Sequence, residues 1–374
     1  MKLNGASTIQ QVVLEGCNGV WAREHYLPFL ANKAAEGSIK LLAVDVEREV
    51  KLSGANVASS WRSAASRGNA VFINKRENES YHDVMSAADL VLVVTPDRYH
   101  CSIARSWLSR LTEGGAICIE KPLDATVEAA AALERSLAEA GMTAPVYSFD
   151  HYLARIYPFL TKCSSYMHEI GTFAGIRCRI LESHRIPPER ASTLDTGAIP
   201  DLFCHVLALV CGLFSQDTAC TPASLQTIRL EKVAGARFAG SPISGETFAR
   251  LEFTAGGGIG VVSDVGYCVG EIQEKHMVLT GARGSIELDF AEDVFSVLDS
   301  DGQQVEKGQL LPNHVERFLD DVLSRNGPPL LLPGVIGFDA ALDILTMLDT
   351  ARSKVIPVPE YRCGDSPERI LERL

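Results

Sequence analysis

Between residues 11 and 149, short β-branched runs alternate with amphipathic stretches, a rhythm that predicts a parallel sheet with crossover helices. The predicted strands are 11–15, 40–44, 71–74, 90–94, 116–119 and 145–149; helical spacing falls between them at 22–33, 81–87, 102–111 and 126–140. Beyond residue 150 the rhythm changes. A helix is followed by longer alternating segments at 173–181, 248–253, 257–264 and 276–280, and a turn at 281–285 leads into 286–290. Alternation of this kind predicts a mostly antiparallel sheet faced by helices, with further helices around 314–324 and 337–353. The expected fold is therefore α/β: an amino-terminal doubly wound Rossmann domain, residues 1–148, and an α+β domain with a large antiparallel sheet, residues 149–374.

Composition narrows the partners. With 46% hydrophobic and 22% charged residues, the chain has the profile of a globular enzyme rather than of a disordered segment. A formal net charge of −12 argues against nucleic acid or an anionic membrane as partner, because both bind through clustered Lys and Arg. An anionic substrate would need a local basic pocket. Ten cysteines are scattered with no C-x-x-C pair, and the start of the sequence does not read as a signal peptide, so they are expected to be buried thiols of a cytoplasmic protein. No apolar run approaches the roughly 20 residues of a membrane-spanning helix.

The first strand runs into Gly16-Cys17-Asn18-Gly19-Val20-Trp21-Ala22, a G-x-x-G-x-x-A turn that places Asn18 where the dinucleotide fingerprint has its second glycine. Gly16 allows the tight turn, Gly19 lets the backbone approach a pyrophosphate, and Ala22 keeps the helix close to the sheet. The second strand ends at Asp45, placed to hydrogen-bond an adenosine ribose and so to favour NAD(H) over NADP(H), with Arg23 and Arg48 the residues that could reverse the preference. Thr95-Pro96 closes the fourth strand and shapes a loop, with His100 just beyond, over the cofactor edge.

The fifth strand ends in Glu120-Lys121-Pro122, and here the chain resembles the glucose–fructose oxidoreductase and inositol dehydrogenase (Gfo/Idh/MocA) family, and also glucose-6-phosphate dehydrogenase. The resemblance implies that Lys121 faces nicotinamide and substrate and that the Lys121–Pro122 bond is cis. Gly197-x-x-x-Asp201-x-x-x-His205 looks like the catalytic helix of the inositol dehydrogenase group. Two segments lean toward glucose-6-phosphate dehydrogenase: the Gly16–Ala22 turn with Pro28 and Leu30, and Asp150-His151-Tyr152-Leu153-Ala154-Arg155, which is similar to its D-H-Y-L-G-K motif. In that motif the histidine and lysine grip a sugar phosphate, which implies the same of His151 and Arg155. The chain reads as a divergent member of the smaller-enzyme superfamily.

Asp201 and His205 stand four residues apart, so on one helix they share a face. Oxidation of a secondary alcohol needs a base for the hydroxyl proton, a role assigned to His205. Lys121 would hold the substrate oxygen, and Asp201 would bind a hydroxyl or orient the base. Asp195 lines the pocket or caps its loop. No histidine pair has metal-ligand spacing such as H-E-x-x-H, so no metal is expected. The resulting expectation is an NAD(P)-dependent oxidoreductase acting on a sugar, sugar phosphate or cyclitol, as a homodimer or homotetramer joined through the second-domain sheet. An imine or enone reductase, and a dinucleotide-sensing regulator without catalysis, remain open readings.

Overall fold

The computed structural model describes residues 10–78, 81–84, 87–141, 146–182, 197–214, 226–234, 237–238, 241–242, 246–255, 258–267, 273–324, 333–353 and 360–362. The chain divides into two compact units, Met1–Phe149 with Val315–Val335 and Asp150–His314 with Ile336–Leu374. The expected division at residue 148 did not anticipate the return of Val315–Val335. That return has a plain cause. The helix His314–Ser324 is amphipathic, and it buries Val315, Phe318 and Leu319 at i, i+3 and i+4. Phe318 stacks on Phe149 with ring centroids 4.2 Å apart, and Asp320 pairs with Lys33.

In the first unit β1 (Gln10–Glu15), β2 (Ile39–Asp45), β3 (Ala70–Asn74), β4 (Ala88–Val93), β5 (Leu111–Glu120) and β6 (Val146–Phe149) pair in parallel in the order 3-2-1-4-5-6, with the short Val335–Gly337 strand beyond β6. The central strands carry apolar runs, as a sheet covered on both faces requires: Val12, Val13, Leu14, Val91, Leu92 and Val93 are all at most 1% exposed. Strand order reverses at β1, whose neighbours are β2 and β4. Ligands bind in such sheets beyond the carboxyl ends of the strands at that switch point. Two segments differ from expectation. Tyr81–Val84, within the helix expected over 81–87, forms a 3₁₀ turn, because so short a stretch cannot offset the cost of nucleating an α-helix. β5 begins at Leu111 rather than 116, in a Thr-Glu-Gly-Gly stretch that carries no apolar alternation.

The second unit has a nine-stranded sheet in which β7 (Phe173–Glu182) pairs in parallel with Ile259–Tyr267 and antiparallel with Glu274–Gly281. Alternate residues fill its core: Ile176, Cys178 and Ile180 on β7 face inward with Val261, Val265, Met277 and Leu279. Strands Val294–Asp299 and Gln304–Gln309 extend the sheet past the predicted segments. The latter is mostly exposed and polar, which is why its sequence gives no alternating signal.

Glu15, at the end of β1, has no exposed surface. Its Oε1 accepts hydrogen bonds from Trp107 Nε1 at 2.8 Å and Tyr81 Oη at 2.9 Å, and Lys75 Nζ lies 3.6 Å from Oε2. The carboxylate thereby fixes the strand end from which the glycine turn departs. Glu15→Leu strands two buried donors and is expected to lower stability by about 2–4 kcal/mol in urea unfolding, whereas Glu15→Gln, which keeps an acceptor, should stay within about 1 kcal/mol of wild type.

Candidate functional site

Gly16 has φ 81°, and a Cβ there would lie 2.6 Å from the Val94 carbonyl oxygen and 2.9 Å from Thr95 Cγ2. Only glycine fits at this turn. Gly19 donates to the Gly16 carbonyl at 3.1 Å, and the helical stretch that follows includes Ala22–Tyr26 and Leu27–Glu36. Beside the turn, the Thr95 hydroxyl is buried with no hydrogen-bond partner among the described residues. A tight glycine turn at the switch point, a helix amino terminus and an unsatisfied hydroxyl suit the phosphate-bearing part of a dinucleotide.

Asn18 is 7% exposed and turned toward the loop after β2. Its Nδ2 donates to the Glu49 carbonyl at 2.9 Å, its Oδ1 accepts from Lys51 N at 2.7 Å, and its own N–H donates to Asp45 Oδ2 at 2.9 Å. Asp45 Oδ1 accepts from Val46 N at 2.7 Å, which leaves each carboxylate oxygen a second lone pair. Val20 is half-buried and Pro96 exposed beside the turn.

Lys121 is half-buried, and its bond to Pro122 is cis, as the resemblance implied. Its neighbour Glu120 is buried and accepts from Trp21 Nε1 at 2.8 Å and from the Tyr26 hydroxyl. His100, 2% exposed, places Nδ1 2.8 Å from the Pro122 carbonyl and Nε2 2.6 Å from the Thr95 carbonyl, tying together the loops after β4 and β5. Trp21, Glu120 and His100, expected among the cofactor contacts, thus engage partners within the unit and shape the corner that carries Lys121.

In the second unit, Asp150 and His205 form a buried pair, Oδ2 to Nδ1, at 2.7 Å. The other Asp150 oxygen accepts from Leu153 N at 2.9 Å and caps the helix His151–Arg155. His205 lies on Cys204–Leu213, a helix buried on every side from Cys204 to Cys211. Ahead of it Ile199–Phe203 forms a π-helical turn, and Glu246 secures its entry: Oε1 accepts from Ile199 N at 2.8 Å and the carbonyl accepts from Ala198 N at 3.0 Å. Burial pushes the Glu246 carboxyl above its ordinary range. Glu246, distant in sequence, carried no motif signal.

Three expectations are corrected here. Asp150, which was not expected to act on His205, pairs with its Nδ1, and Asp201, expected to bind a hydroxyl or orient the base, accepts at Oδ2 from the Tyr267 hydroxyl. Arg155 is committed to structure: its Nε donates to Asp293 Oδ1 at 3.0 Å, its second nitrogen pairs with the same carboxylate, and it also donates to the Phe290 carbonyl. Its role as an anion grip is withdrawn on that ground. His151 packs edge-on against His205, centroids 4.6 Å apart, and stacks on His314 at 5.7 Å, so it stands in an imidazole cluster that the expected phosphate clamp did not foresee. Asp195 lies outside the described residues. A carboxylate oxygen of Asp150, the Cys204 Sγ and a ring nitrogen of His205 lie within 4.8 Å of one another. However, the 2.7 Å between Asp150 and His205 is a hydrogen-bond separation, whereas two ligands at about 2.0–2.2 Å in tetrahedral array stand roughly 3.4 Å apart. The cluster reads as a proton-bearing pair. Burial pushes the thiols of Cys17, Cys101, Cys118 and Cys178 well up, so these are packing groups. Among the described residues no helix is long and apolar enough to cross a membrane.

No curated protein matches the chain in sequence. Solved structures do match along nearly its whole length. UDP-N-acetylglucosamine 3-dehydrogenase GnnA from Acidithiobacillus ferrooxidans is similar at 17% identity and TM-score 0.64, covering 93% of this chain and 98% of its own. The 3-ketoreductase KijD10 from Actinomadura kijaniata, solved with NADP, gives 14% identity and TM-score 0.62 over 95% and 99%. The transcriptional regulator Gal80p from Kluyveromyces lactis gives 12% and 0.67 over 93% and 91%. At these identities the likeness establishes the fold alone. The sequence of residues 11–148 matches the model of the Gfo/Idh/MocA oxidoreductase family, described by its NAD-binding Rossmann fold.

Proposed function

We propose that the chain is an NAD(P)-dependent dehydrogenase or reductase that moves hydride between nicotinamide and a secondary alcohol or ketone of a sugar, sugar phosphate or cyclitol. The observation that carries this reading is the buried Asp150–His205 pair. A carboxylate accepting from Nδ1–H makes Nε2 the basic nitrogen, and it stabilises the imidazolium that forms once a proton is taken. In the direction of oxidation, His205 Nε2 removes the hydroxyl proton. Asp201, supported by Tyr267, binds a further hydroxyl, and Lys121, at the corner of the first unit, keeps the role beside the nicotinamide that the resemblance implied. The nicotinamide, when bound, accepts the hydride. Arg155 has no part in this scheme, so an anionic group on the substrate is not required by it. Gal80p shows that a chain of this architecture can serve as a transcriptional regulator. The buried Asp150–His205 pair favours the enzyme.

The direct test is thermal denaturation with NAD(H), NADP(H) and a panel of sugars, sugar phosphates and cyclitols, followed by turnover assays on the ligands that stabilise. A ligand at a hundred times its Kd adds about 2.7 kcal/mol to the folded state. Tight dinucleotide binding with no turnover across the panel would support the regulator instead. Two variants probe the pair. His205→Ala should lower kcat about a hundredfold to ten-thousandfold with dinucleotide affinity intact. Asp150→Asn, which keeps an acceptor for the helix cap but offers His205 an N–H, imposes the wrong tautomer and should cause a loss of similar size. Near wild-type turnover in either would remove that residue from the mechanism.

Asp45 supports a preference for NAD(H), because its carboxylate can accept from ribose hydroxyls and repels a 2′-phosphate. Calorimetric titration is expected to give a lower Kd for NADH than for NADPH. The reverse order would end that assignment.

A further inference from the structure

Asn18 occupies the position where the dinucleotide turn ordinarily has a second glycine, and its side chain is neither exposed nor idle. It makes two hydrogen bonds, to Glu49 and Lys51, while its backbone N–H bonds Asp45. One residue of the turn after β1 therefore holds both the acid at the end of β2 and the loop that follows it. That loop contains Glu47, Arg48 and Lys51, and Lys51 is in turn paired with Glu47 at 2.7 Å. Arginine and lysine are the side chains that would welcome a 2′-phosphate, while Asp45 is the one that would refuse it.

We propose that Asn18 is a specificity-determining strut for the adenosine half of the cofactor, pinning the 46–51 loop so that Asp45, rather than Arg48 or Lys51, meets the ribose. An asparagine suits this task because its amide carries a donor and an acceptor on one planar group. Here the donor faces a carbonyl and the acceptor faces an N–H two residues further on. Glycine could let the backbone approach a pyrophosphate equally well, but it could not hold the loop. The inference rests on the reading that this turn binds a nicotinamide dinucleotide.

The test measures NADH and NADPH affinity by calorimetry for wild type, Asn18→Gly and Asn18→Ala, together with amide hydrogen exchange across residues 46–51. If Asn18 serves as a strut, both variants bind NADH about tenfold more weakly, the loss of roughly one net hydrogen bond. NADPH weakens less, so discrimination narrows, and the Lys51 amide exchanges faster. If position 18 matters only for backbone approach, Asn18→Gly binds both cofactors as well as wild type or better, and the proposal fails. Equal weakening of NADH and NADPH also overturns it, because a purely structural role would not touch the ratio. A wild type that binds neither dinucleotide overturns the cofactor reading itself, an outcome distinct from unaltered discrimination in the variants.

Discussion

Asp150 is the first residue of the second unit, and its carboxylate has no contact with solvent. A buried carboxylate is tolerable only when its oxygens are satisfied from within, and breaking such a pair typically costs about 3–5 kcal/mol. One oxygen closes the amino terminus of the helix His151–Arg155, and the other receives Nδ1 of His205 from a helix that begins more than 50 residues later, at |i−j| of 55. The same group therefore starts a helix and fixes an imidazole. If the cap slips, the base turns. The arrangement ties the geometry of proton transfer to the local stability of the unit, so the orientation of His205 needs no support from bound ligand.

The first unit follows a parallel rule with two other acids. Glu15 and Glu120 end adjacent regions of the sheet, at β1 and β5, and both are buried acceptors for aromatic N–H or O–H groups. Trp107, Tyr81, Trp21 and Tyr26 give each carboxylate donors while filling the surrounding space with apolar surface. These strand ends carry the glycine turn and Lys121, so the positions of both are set by packing rather than by loop length. His100 adds a cross-brace between the Thr95 and Pro122 carbonyls.

Much of this was legible in the sequence because it is local. The alternation of apolar runs predicted the sheet order's ingredients, Gly16 announced the turn, and Glu120-Lys121-Pro122 marked the corner. The helix 81–87 and the start of β5 were misjudged where short or polar segments take their conformation from neighbours. What was not legible is pairing at a distance. Arg155 meets Asp293 across 138 residues, and no spacing rule connects them. Asp201 and His205 share one helix, which suggested that one orients the other, but the π-helical turn Ile199–Phe203 intervenes and a more distant acid takes the role. Asp150 was visible only as part of a motif, while its value as a cap hid its value as a partner.

The commitment of Arg155 also bears on what the second unit is built to recognise. An arginine whose guanidinium already serves Asp293 and the Phe290 carbonyl can turn to a phosphate only by leaving that carboxylate half-buried beside the incoming charge, so anion binding there would work against local electrostatics. The groups gathered around His205 are of another kind: His151 and Tyr152 in ring contact with it, and Asp201 with Tyr267 on the turn ahead. Imidazole and phenol both donate and accept hydrogen bonds, and a carboxylate accepts them. Such a set matches the mixed donor and acceptor character of hydroxyl groups better than the uniform acceptor character of a phosphate. The hydrogen-bonding character of the second unit thus supports the proposed polyhydroxylated substrate on grounds independent of the dinucleotide fold.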